Sequence, residues 1–167
     1  MLVEDKINKL QGYNMSLEAV KEYFSDYNMA HRIMVLPAST ATVEEAAKAH
    51  GVDPDQIGKT LSFKLDDKPI LIIVAGTAKI DNQKYKSHFS KKAKMLNQQE
   101  TLEHTGHAIG GVCPFGLKKP VDVYLDISLK KHPEIIPAAG DRNSSIRLTL
   151  EELEKHSNYK DWIDVCK

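Results

Sequence analysis

The sequence predicts a single α/β domain built around a mixed β-sheet. Segments in which apolar and polar residues alternate, as in strands, are interleaved with segments of helical spacing that begin at capping residues. No internal repeat and no low-complexity linker divides the 167 residues, a length typical of one domain. Hairpins interleaved with helices favour a mixed sheet flanked by helices.

The first part of the chain is predicted to be mainly helical. Ser16 can N-cap a helix whose apolar residues recur at helical spacing, and residues 32–36 follow as a short strand. A capping box at Thr42–Glu45 begins an alanine-rich helix that Gly51 ends. Asp53–Gln56 combines an Asp cap with a proline at the first helical position, which predicts one more helical turn.

The strongest strand signals lie in the middle of the chain. Residues 60–65 alternate apolar and polar side chains, which predicts a half-buried strand. Asp66–Lys68 forms a turn, and Ile70–Ala75 is a continuous apolar run that fits a strand buried on both faces. The two strands are predicted to form a hairpin.

Three more helices are predicted in the second half of the chain. Asp81 can cap the first of them, and capping boxes at Asn97–Glu100 and Thr149–Glu152 begin the other two. Thr105 and the glycine after it end the second helix.

Two further strands are predicted at 121–126 and 145–148, where apolar residues again alternate with polar ones. Pro133 and Pro137 predict an irregular connection between them, because proline lacks the amide that a central strand donates.

Composition and charge argue against several classes of protein. The formal net charge is zero, unlike the basic excess of a dedicated duplex-DNA binder. No apolar run approaches the roughly 20 residues of a membrane span, and the charged N-terminus does not resemble a secretory signal. Two cysteines give no disulfide framework and no zinc pattern, so we expect the reducing cytoplasm.

A run of lysines departs locally from this neutral balance. Between Lys79 and Lys94 the only acidic residue is Asp81. The simpler interpretation is a solvated surface, and the more specific one is a surface that contacts a phosphate backbone. The candidate phosphate-backbone contacts are Lys84, Lys86, Lys91, Lys92 and Lys94.

Lys59 is the most informative single residue. It has the same parity as Leu61 and Phe63, so a strand that includes it directs its side chain from the apolar face. Such an ammonium either bends out into water or occupies a cavity. In a cavity it can hold an anion or polarise a carbonyl.

The glycine loop Gly110–Gly116 is the second candidate. Three glycines and a proline exclude a helix interior, and they leave backbone amides free to face a carboxylate, a phosphate or a developing oxyanion. The simpler interpretation is a tight connection between a helix and the next strand.

Other chemically capable residues form no established constellation. The seven histidines show no metal-ligand spacing. Cys113 would need a positioned base to act as a nucleophile, and nothing in the sequence places one. Asp126 either caps a turn or faces a pocket, and the polar turn of Gly140, Asn143 and Ser144 could line the same pocket.

Four of these segments occur in an order that resembles a known family. They are Gly58–Leu61, the glycine loop, the strand 121–126 and Gly140–Ile146. Together they resemble the YbaK/EbsC-like aminoacyl-tRNA deacylases, free-standing relatives of the editing domain inserted in bacterial prolyl-tRNA synthetase. The resemblance covers about residues 30–155, so we divide the chain into an N-terminal helical extension, 1–29, and an editing domain, 30–167.

The resemblance implies hydrolysis in trans of tRNA carrying a wrong amino acid, in particular proline tRNA carrying a small one such as Cys or Ala. It also implies a strongly curved sheet, no metal and no cofactor. The expected partners are mischarged tRNA and prolyl-tRNA synthetase, with neither DNA nor a membrane, and the expected state is a monomer. The lysine that matches Lys59 is the central residue of the family, and the loop from Gly110 to Pro114 shapes its pocket.

The candidate site residues follow from these motifs and their neighbours. The candidate catalytic residues are Lys59, Gly110, Gly111, Val112 and Cys113, although the resemblance gives Cys113 no nucleophilic role. The candidate substrate-binding residues are Thr60, Gly76, Thr77, Pro114, Phe115, Asp126, Gly140, Asn143 and Ser144.

Two other functions stay open at this point. The same fold can serve as a non-catalytic module that binds an aminoacyl group, a nucleotide or a synthetase. A thiol hydrolase that uses Cys113 is the third hypothesis. The attacking group, whether water or a hydroxyl or thiol of the substrate, is also open.

Overall fold

The structure, a computed structural model, describes residues 16–167 and gives them five helices and eight strands. The helices are α1 (16–25), α2 (Val43–His50), α3 (Asn82–Phe89), α4 (Gln98–Thr105) and α5 (Leu150–Ser157). Short 3₁₀ segments lie at Ala30–Arg32, Pro54–Gln56 and Ile127–Lys131. The strands are β1 (Ile33–Val35), β2 (Ile57–Leu65), β3 (Lys68–Ala75), β4 (Asp122–Asp126), β5 (Glu134–Pro137), β6 (Ser144–Ile146), β7 (Leu148–Thr149) and β8 (Asp161–Ile163).

Six strands form one mixed sheet in the order β7-β5-β2-β3-β4-β8, and β1 pairs with β6 in a separate two-stranded sheet. At its centre β2 and β3 form an antiparallel hairpin, with Lys59 opposite Val74 and Phe63 opposite Ile70. β5 runs parallel to β2, β4 parallel to β3, and β8 parallel to β4. The predicted hairpin and the predicted mixed α/β class are confirmed.

Both faces of the central hairpin are buried. Leu71 and Ile73 of β3 face a core that includes α1, α5 and the glycine loop. Ile72 and Val74 face a second core with Tyr85 of α3. Burial of each such side chain stabilises the fold by about 1.5–3 kcal/mol, so β3 is a fixed support for β2.

The predicted caps explain where most helices begin. Thr42 accepts the amide of Glu45 at the start of α2, and Asp81 accepts two amides at the start of α3. Asn97 and Thr149 form complete capping boxes at α4 and α5. Ser16 behaves differently, because its hydroxyl contacts His107 Nδ1 at 2.5 Å rather than an amide of α1.

The irregular connection predicted around Pro133 and Pro137 is wrong. The chain there forms the 3₁₀ segment Ile127–Lys131 and then β5. Pro137 is tolerated because it is the last residue of β5, opposite Gly58, where the ladder ends. The sequence analysis also missed β8, a strand of three residues that pairs with β4 at the edge of the described sheet.

The predicted N-terminal extension is described only from residue 16, and residues 1–15 lie outside the described part of the chain. Val20 and Phe24 of α1 are fully buried, and the ring of Phe24 packs on that of Phe115 at 4.8 Å between centroids. Helix α1 therefore packs in the same core as the glycine loop.

Candidate active site

A cavity of about 240 Å³ lies where β2 has no neighbouring strand on one side. β5 pairs with β2 only at Ile57 and Gly58, and Met95 pairs with Phe63 farther along. Between these contacts the described residues place no strand beside Lys59–Leu61 on the side away from β3, and the cavity occupies this gap. Its other walls come from α2, α4, β6 and the glycine loop.

The gap follows from the local sequence. A Cβ at Gly58 would lie 2.8 Å from the Ile135 side chain, so glycine lets β5 approach β2 closely at this point. β5 ends two residues after Ile135, at Pro137, which has no amide N–H to continue the hydrogen-bond ladder. The strand edge beyond Gly58 is therefore left for the cavity.

Lys59 lines this cavity, and its side chain leaves β2 on the face predicted from its parity with Leu61. Its Nζ donates a hydrogen bond to the Ala78 carbonyl at 2.8 Å. Burial lowers the pKa of the ammonium, with the nearby Cys166 and Glu44 acting in the opposite direction. An ammonium has three donors, so one fixed acceptor leaves two for a ligand.

The glycine loop contributes Gly110 and Val112 to the cavity wall. Gly110 has a φ of +86°, and a Cβ there would lie 2.9 Å from the Ala41 side chain. The Gly111 amide donates to Ala108 O at 3.0 Å, whereas the amides of Gly110 and Val112 have no acceptor among residues 16–167. Those two amides can therefore donate to a ligand.

A buried histidine fixes the back of this loop. His107 Nε2 donates to the Phe115 carbonyl at 2.7 Å, and because a carbonyl only accepts, Nδ1 must accept the Ser16 hydroxyl. Burial lowers the pKa of His107, which keeps the ring neutral in this arrangement. The ring thus ties α1 to the glycine loop.

Cys113 lies on the core side of the loop, away from the cavity. Its side chain is fully buried, with Sγ 3.5 Å from His107 Nε2. Burial raises the pKa of the thiol to about 12, so the thiolate that a nucleophile needs is strongly disfavoured.

A serine and a histidine meet at the remaining wall. Ser145, from β6, lines the cavity and is 2% exposed. Its Oγ lies 2.6 Å from Nε2 of His50, the last residue of α2. The sequence analysis missed this pair because the residues are 95 positions apart. Ser145 belongs to the Gly140–Ile146 segment but was not chosen as a candidate, and His50 stands in no motif.

The sequence profile of the aminoacyl-tRNA editing domain matches residues 37–156 of the chain. The chain belongs to this editing-domain family. The matched range contains Lys59, the glycine loop and the other cavity-lining residues, which lie between Thr40 and Ser145. The resemblance seen in the ordered sequence motifs is thereby confirmed.

Two relatives and one solved structure are similar to this editing domain over most of their length. YwhH of Bacillus subtilis (strain 168), whose name states no activity, is 51% identical over 154 residues, 92% of this chain and 98% of YwhH. EbsC of Enterococcus faecalis (strain ATCC 700802 / V583), named provisionally as a Cys-tRNA(Pro) and Cys-tRNA(Cys) deacylase, is 30% identical over 120 residues, 70% of this chain and 73% of EbsC. A solved structure described provisionally as a trans-editing enzyme for prolyl-tRNA synthetase matches with a TM-score of 0.82 at 32% identity, covering 91% of this chain and 97% of that one. The strongly curved mixed sheet is shared with this solved structure.

In this editing domain, Thr60 is the one predicted substrate-binding residue on the cavity wall. Its Oγ1 is buried and has no hydrogen-bond partner among the described residues. Gly76 lies behind the cavity, against the Pro54 carbonyl and the Val43 side chain. Thr77 is exposed and hydrogen-bonds Asp55.

The predicted residues of the 140–144 turn support the loop from beneath. The Gly140 amide donates to Gly111 O at 3.1 Å. Asn143 Nδ2 donates to the Leu36 carbonyl at 2.8 Å, and Ser144 Oγ accepts the Asp141 amide at 3.2 Å. The Gly140 contact supports the loop directly, the other two hold the turn itself, and none of the three residues lines the cavity.

Three further candidates lie away from the cavity. Phe115 is fully buried in the core, and Pro114 lines a separate groove beside α5. Asp126 is fully buried, accepts the amides of Ser128 and Val165 at 2.9 Å each, and borders a second cavity of about 440 Å³.

The five candidate tRNA lysines are all exposed, on α3 or in the segment between α3 and α4. Lys84 pairs with Asp164 at 3.0 Å, and Lys91 pairs with Asp66 at 3.5 Å. Lys86, Lys92 and Lys94 have no ion pair among the described residues, and Lys94 directly precedes Met95 on the cavity wall.

Across residues 16–167, no cluster of three or more His, Cys, Asp or Glu side chains is arranged to hold a metal ion. In the same part of the chain, no helix is long and apolar enough to cross a membrane.

Proposed function

We propose that this chain is a trans-editing aminoacyl-tRNA deacylase, which hydrolyses the ester between a wrongly attached amino acid and its tRNA. The observation that carries the proposal is one cavity lined by Lys59, Gly110 and Val112, in which the amides of Gly110 and Val112 have no acceptor among residues 16–167. Membership of the editing-domain family supports the same reaction.

Ester hydrolysis builds negative charge on the carbonyl oxygen. Fixed donors that face this oxygen stabilise the transition state, each by about 3 kcal/mol when well placed. In this scheme the amides of Gly110 and Val112 are such donors, and Lys59 of β2 supplies a cation to the same cavity. Lys59 holds either the carbonyl oxygen or a phosphate of the terminal nucleotide in this scheme.

We propose proline tRNA carrying a small amino acid, such as Cys or Ala, as the substrate. The provisional names of EbsC and of the solved structure support Cys and prolyl-tRNA synthetase, respectively. Selection by cavity size is limited for apolar side chains, since one methylene changes specificity by only about 1–3 kcal/mol. Several small amino acids are therefore expected to be released at different rates.

The proposed partners are mischarged tRNA and, for substrate supply, prolyl-tRNA synthetase. The protein acts as a monomer, and the lysines between Lys84 and Lys94 contact the tRNA backbone. Two free, buried cysteines fit a reducing compartment, so we place the reaction in the cytoplasm.

The test is single-turnover deacylation of proline tRNA charged with Ala, Cys or Ser, by wild type, Lys59→Ala and Cys113→Ala. Wild type is expected to release at least one amino acid, and Lys59→Ala to lose at least about a hundredfold in rate. Cys113→Ala is expected to keep its rate and lose about 1 kcal/mol of stability, because its thiol is a buried apolar group.

The other outcomes separate the three hypotheses. Loss of activity in Cys113→Ala with activity kept in Lys59→Ala would indicate a thiol hydrolase. Binding of charged tRNA by wild type without release of any amino acid would indicate a non-catalytic module. Full activity in both variants would refute the assignment of the site.

A further inference from the structure

The Ser145 and His50 pair has the geometry of a proton-transfer device on the cavity wall. Ser145 lines the same cavity as Lys59 and the glycine loop. His50 is not itself on the wall, and it reaches Ser145 from behind with Nε2 at 2.6 Å. The cavity therefore presents a hydroxyl backed by an imidazole.

The fold holds both side chains in place. Ser145 is opposite Met34 in the β1–β6 pair and also bridges Ala138, so its backbone is fixed on both sides. Its neighbour Ile146 points into the main core, and since successive strand residues alternate, Ser145 points the other way, toward α2. His50 ends α2, whose Ala46 and Ala47 pack on Ile57 and Ile136.

The surroundings of His50 favour the neutral imidazole that a proton acceptor needs. Burial lowers the pKa of His50 below its usual 6.5, and the Arg147 guanidinium lowers it further. Arg147 in turn faces Glu134, with Nη1 and Oε1 3.9 Å apart. Among the described residues, no carboxylate contributes to the shift of His50, so nothing there opposes deprotonation.

We propose that Ser145 relays the proton of the attacking water to His50 during deacylation. This proposal rests on the proposed function and adds to it the group that activates water. The oxygen of water bonds to the ester carbonyl carbon, its proton passes to Ser145 Oγ, and the Ser145 hydroxyl proton passes to His50 Nε2. When the bond to the ribose oxygen breaks, the proton returns along the same path to that oxygen. The products are the free amino acid and uncharged tRNA.

The test compares Ser145→Ala and His50→Gln with wild type in single-turnover deacylation between pH 5 and 9. Gln can still hydrogen-bond Ser145 but cannot take up a proton. The controls are Ser25→Ala and His31→Gln, since both residues are exposed and lie outside the cavity. Charged proline tRNA is the substrate, and Lys59→Ala is measured in parallel.

Each variant is expected to lose about a hundredfold in rate at saturating tRNA, with the tRNA concentration for half-maximal rate changed less than twofold. The double variant should be no slower than Ser145→Ala, because both changes interrupt one path. The wild-type rate should fall as His50 becomes protonated, at a pH below the usual histidine pKa of 6.5, and this fall should be absent in His50→Gln.

Three results would overturn the relay. They are an unchanged rate in His50→Gln, the same acidic fall in that variant, and an aminoacyl group trapped covalently on Ser145 after acid quench. If Ser145→Ala does not fold, the pH profile of His50→Gln decides alone. If wild type and both controls release no amino acid, the proposed function fails instead, and the two failures are thus distinguishable.

Discussion

At the scale of single residues, Glu152 joins distant parts of the fold through one carboxylate. It accepts the Thr149 amide as part of the capping box of α5 and forms a two-point ion pair with Arg32. The Arg32 guanidinium is the main reason that the pKa of Glu152 falls to about 2. The sequence predicted the cap, which is local, but not the ion pair, whose partners are 120 residues apart.

Glu152→Gln should remove the charge and keep the cap, because Gln also accepts the Thr149 amide. The folded-state pKa lies below the usual 4.5, so this carboxylate stabilises the fold above about pH 4.5 and the contribution is lost as pH falls toward 2. We expect Glu152→Gln to lower the free energy of unfolding by about 1 kcal/mol at pH 7 and by less at pH 3. The value at pH 7 is small because the Arg32 and Glu152 side chains are 33% and 27% exposed, so solvent screens the ion pair. Urea unfolding at both pH values measures it.

Glu18→Gln is the matched control for that measurement. Glu18 is 69% exposed and lies 3.6 Å from Lys21, so its removal should cost under about 0.5 kcal/mol. An equal loss at pH 7 and pH 3 in Glu152→Gln would mean that the ion pair does not contribute through its charge.

At the scale of elements, the glycine loop owes its shape to what packs behind it. Gly111 contacts the backbone of Gly140, and His107 connects the loop to Ser16 of α1. Sequence analysis identified the loop from its glycines, but it could not tell which residues face the cavity. The structure places Gly110 and Val112 on the wall and Cys113 in the core.

Gly111→Ala should disrupt this packing. The new Cβ would overlap backbone atoms of Gly140 and Asp141, which cannot move aside as a flexible side chain would. We expect a loss of about 3 kcal/mol of unfolding free energy and of nearly all deacylation. Urea unfolding and single-turnover rates measure the two effects.

Gly51→Ala serves as the comparison at a helix end. Gly51 has a φ of +66° but no heavy atom near the position of a Cβ, so the cost should be about 1 kcal/mol with activity kept. Equal losses in the two variants would show that the Gly111–Gly140 contact does not shape the site.

At the scale of the whole molecule, charge is balanced overall and uneven locally. The chain has 23 basic and 23 acidic residues, so long-range attraction to tRNA is weak. Two of the candidate tRNA lysines are already paired with acids of the same chain. Contact with tRNA is therefore expected from the three that are not, Lys86, Lys92 and Lys94.

Replacing Lys86, Lys92 and Lys94 together by Ala should weaken tRNA binding without slowing the bound reaction. Each lost phosphate contact lowers the slope of log affinity against log salt by about 0.7–0.9, so three contacts change it by about 2–3. Binding assays from 50 to 200 mM salt and single-turnover rates check both parts. A control that replaces Lys21, Lys155 and Lys160 should leave the slope unchanged, and an unchanged slope in both would mean that tRNA contacts other residues.

The sequence alone determined the mixed α/β class, the central hairpin, the capped helices and the family. These follow from local patterns: the period of apolar residues, the capping residues and the order of short motifs. It also singled out Lys59 and the glycine loop. A lysine on the apolar face of a strand and a cluster of glycines are both unusual, and each can be recognised from a few consecutive residues.

Only the tertiary structure decided which residues share a cavity. β5 and β8 escaped prediction because short strands gain stability from their partners and not from their own sequence. Ser145 and His50 meet only because the fold brings β6 next to the end of α2, and Cys113 is seen to lie in the core only once the loop is packed against it. Such contacts join residues far apart in the chain, and no local pattern encodes them.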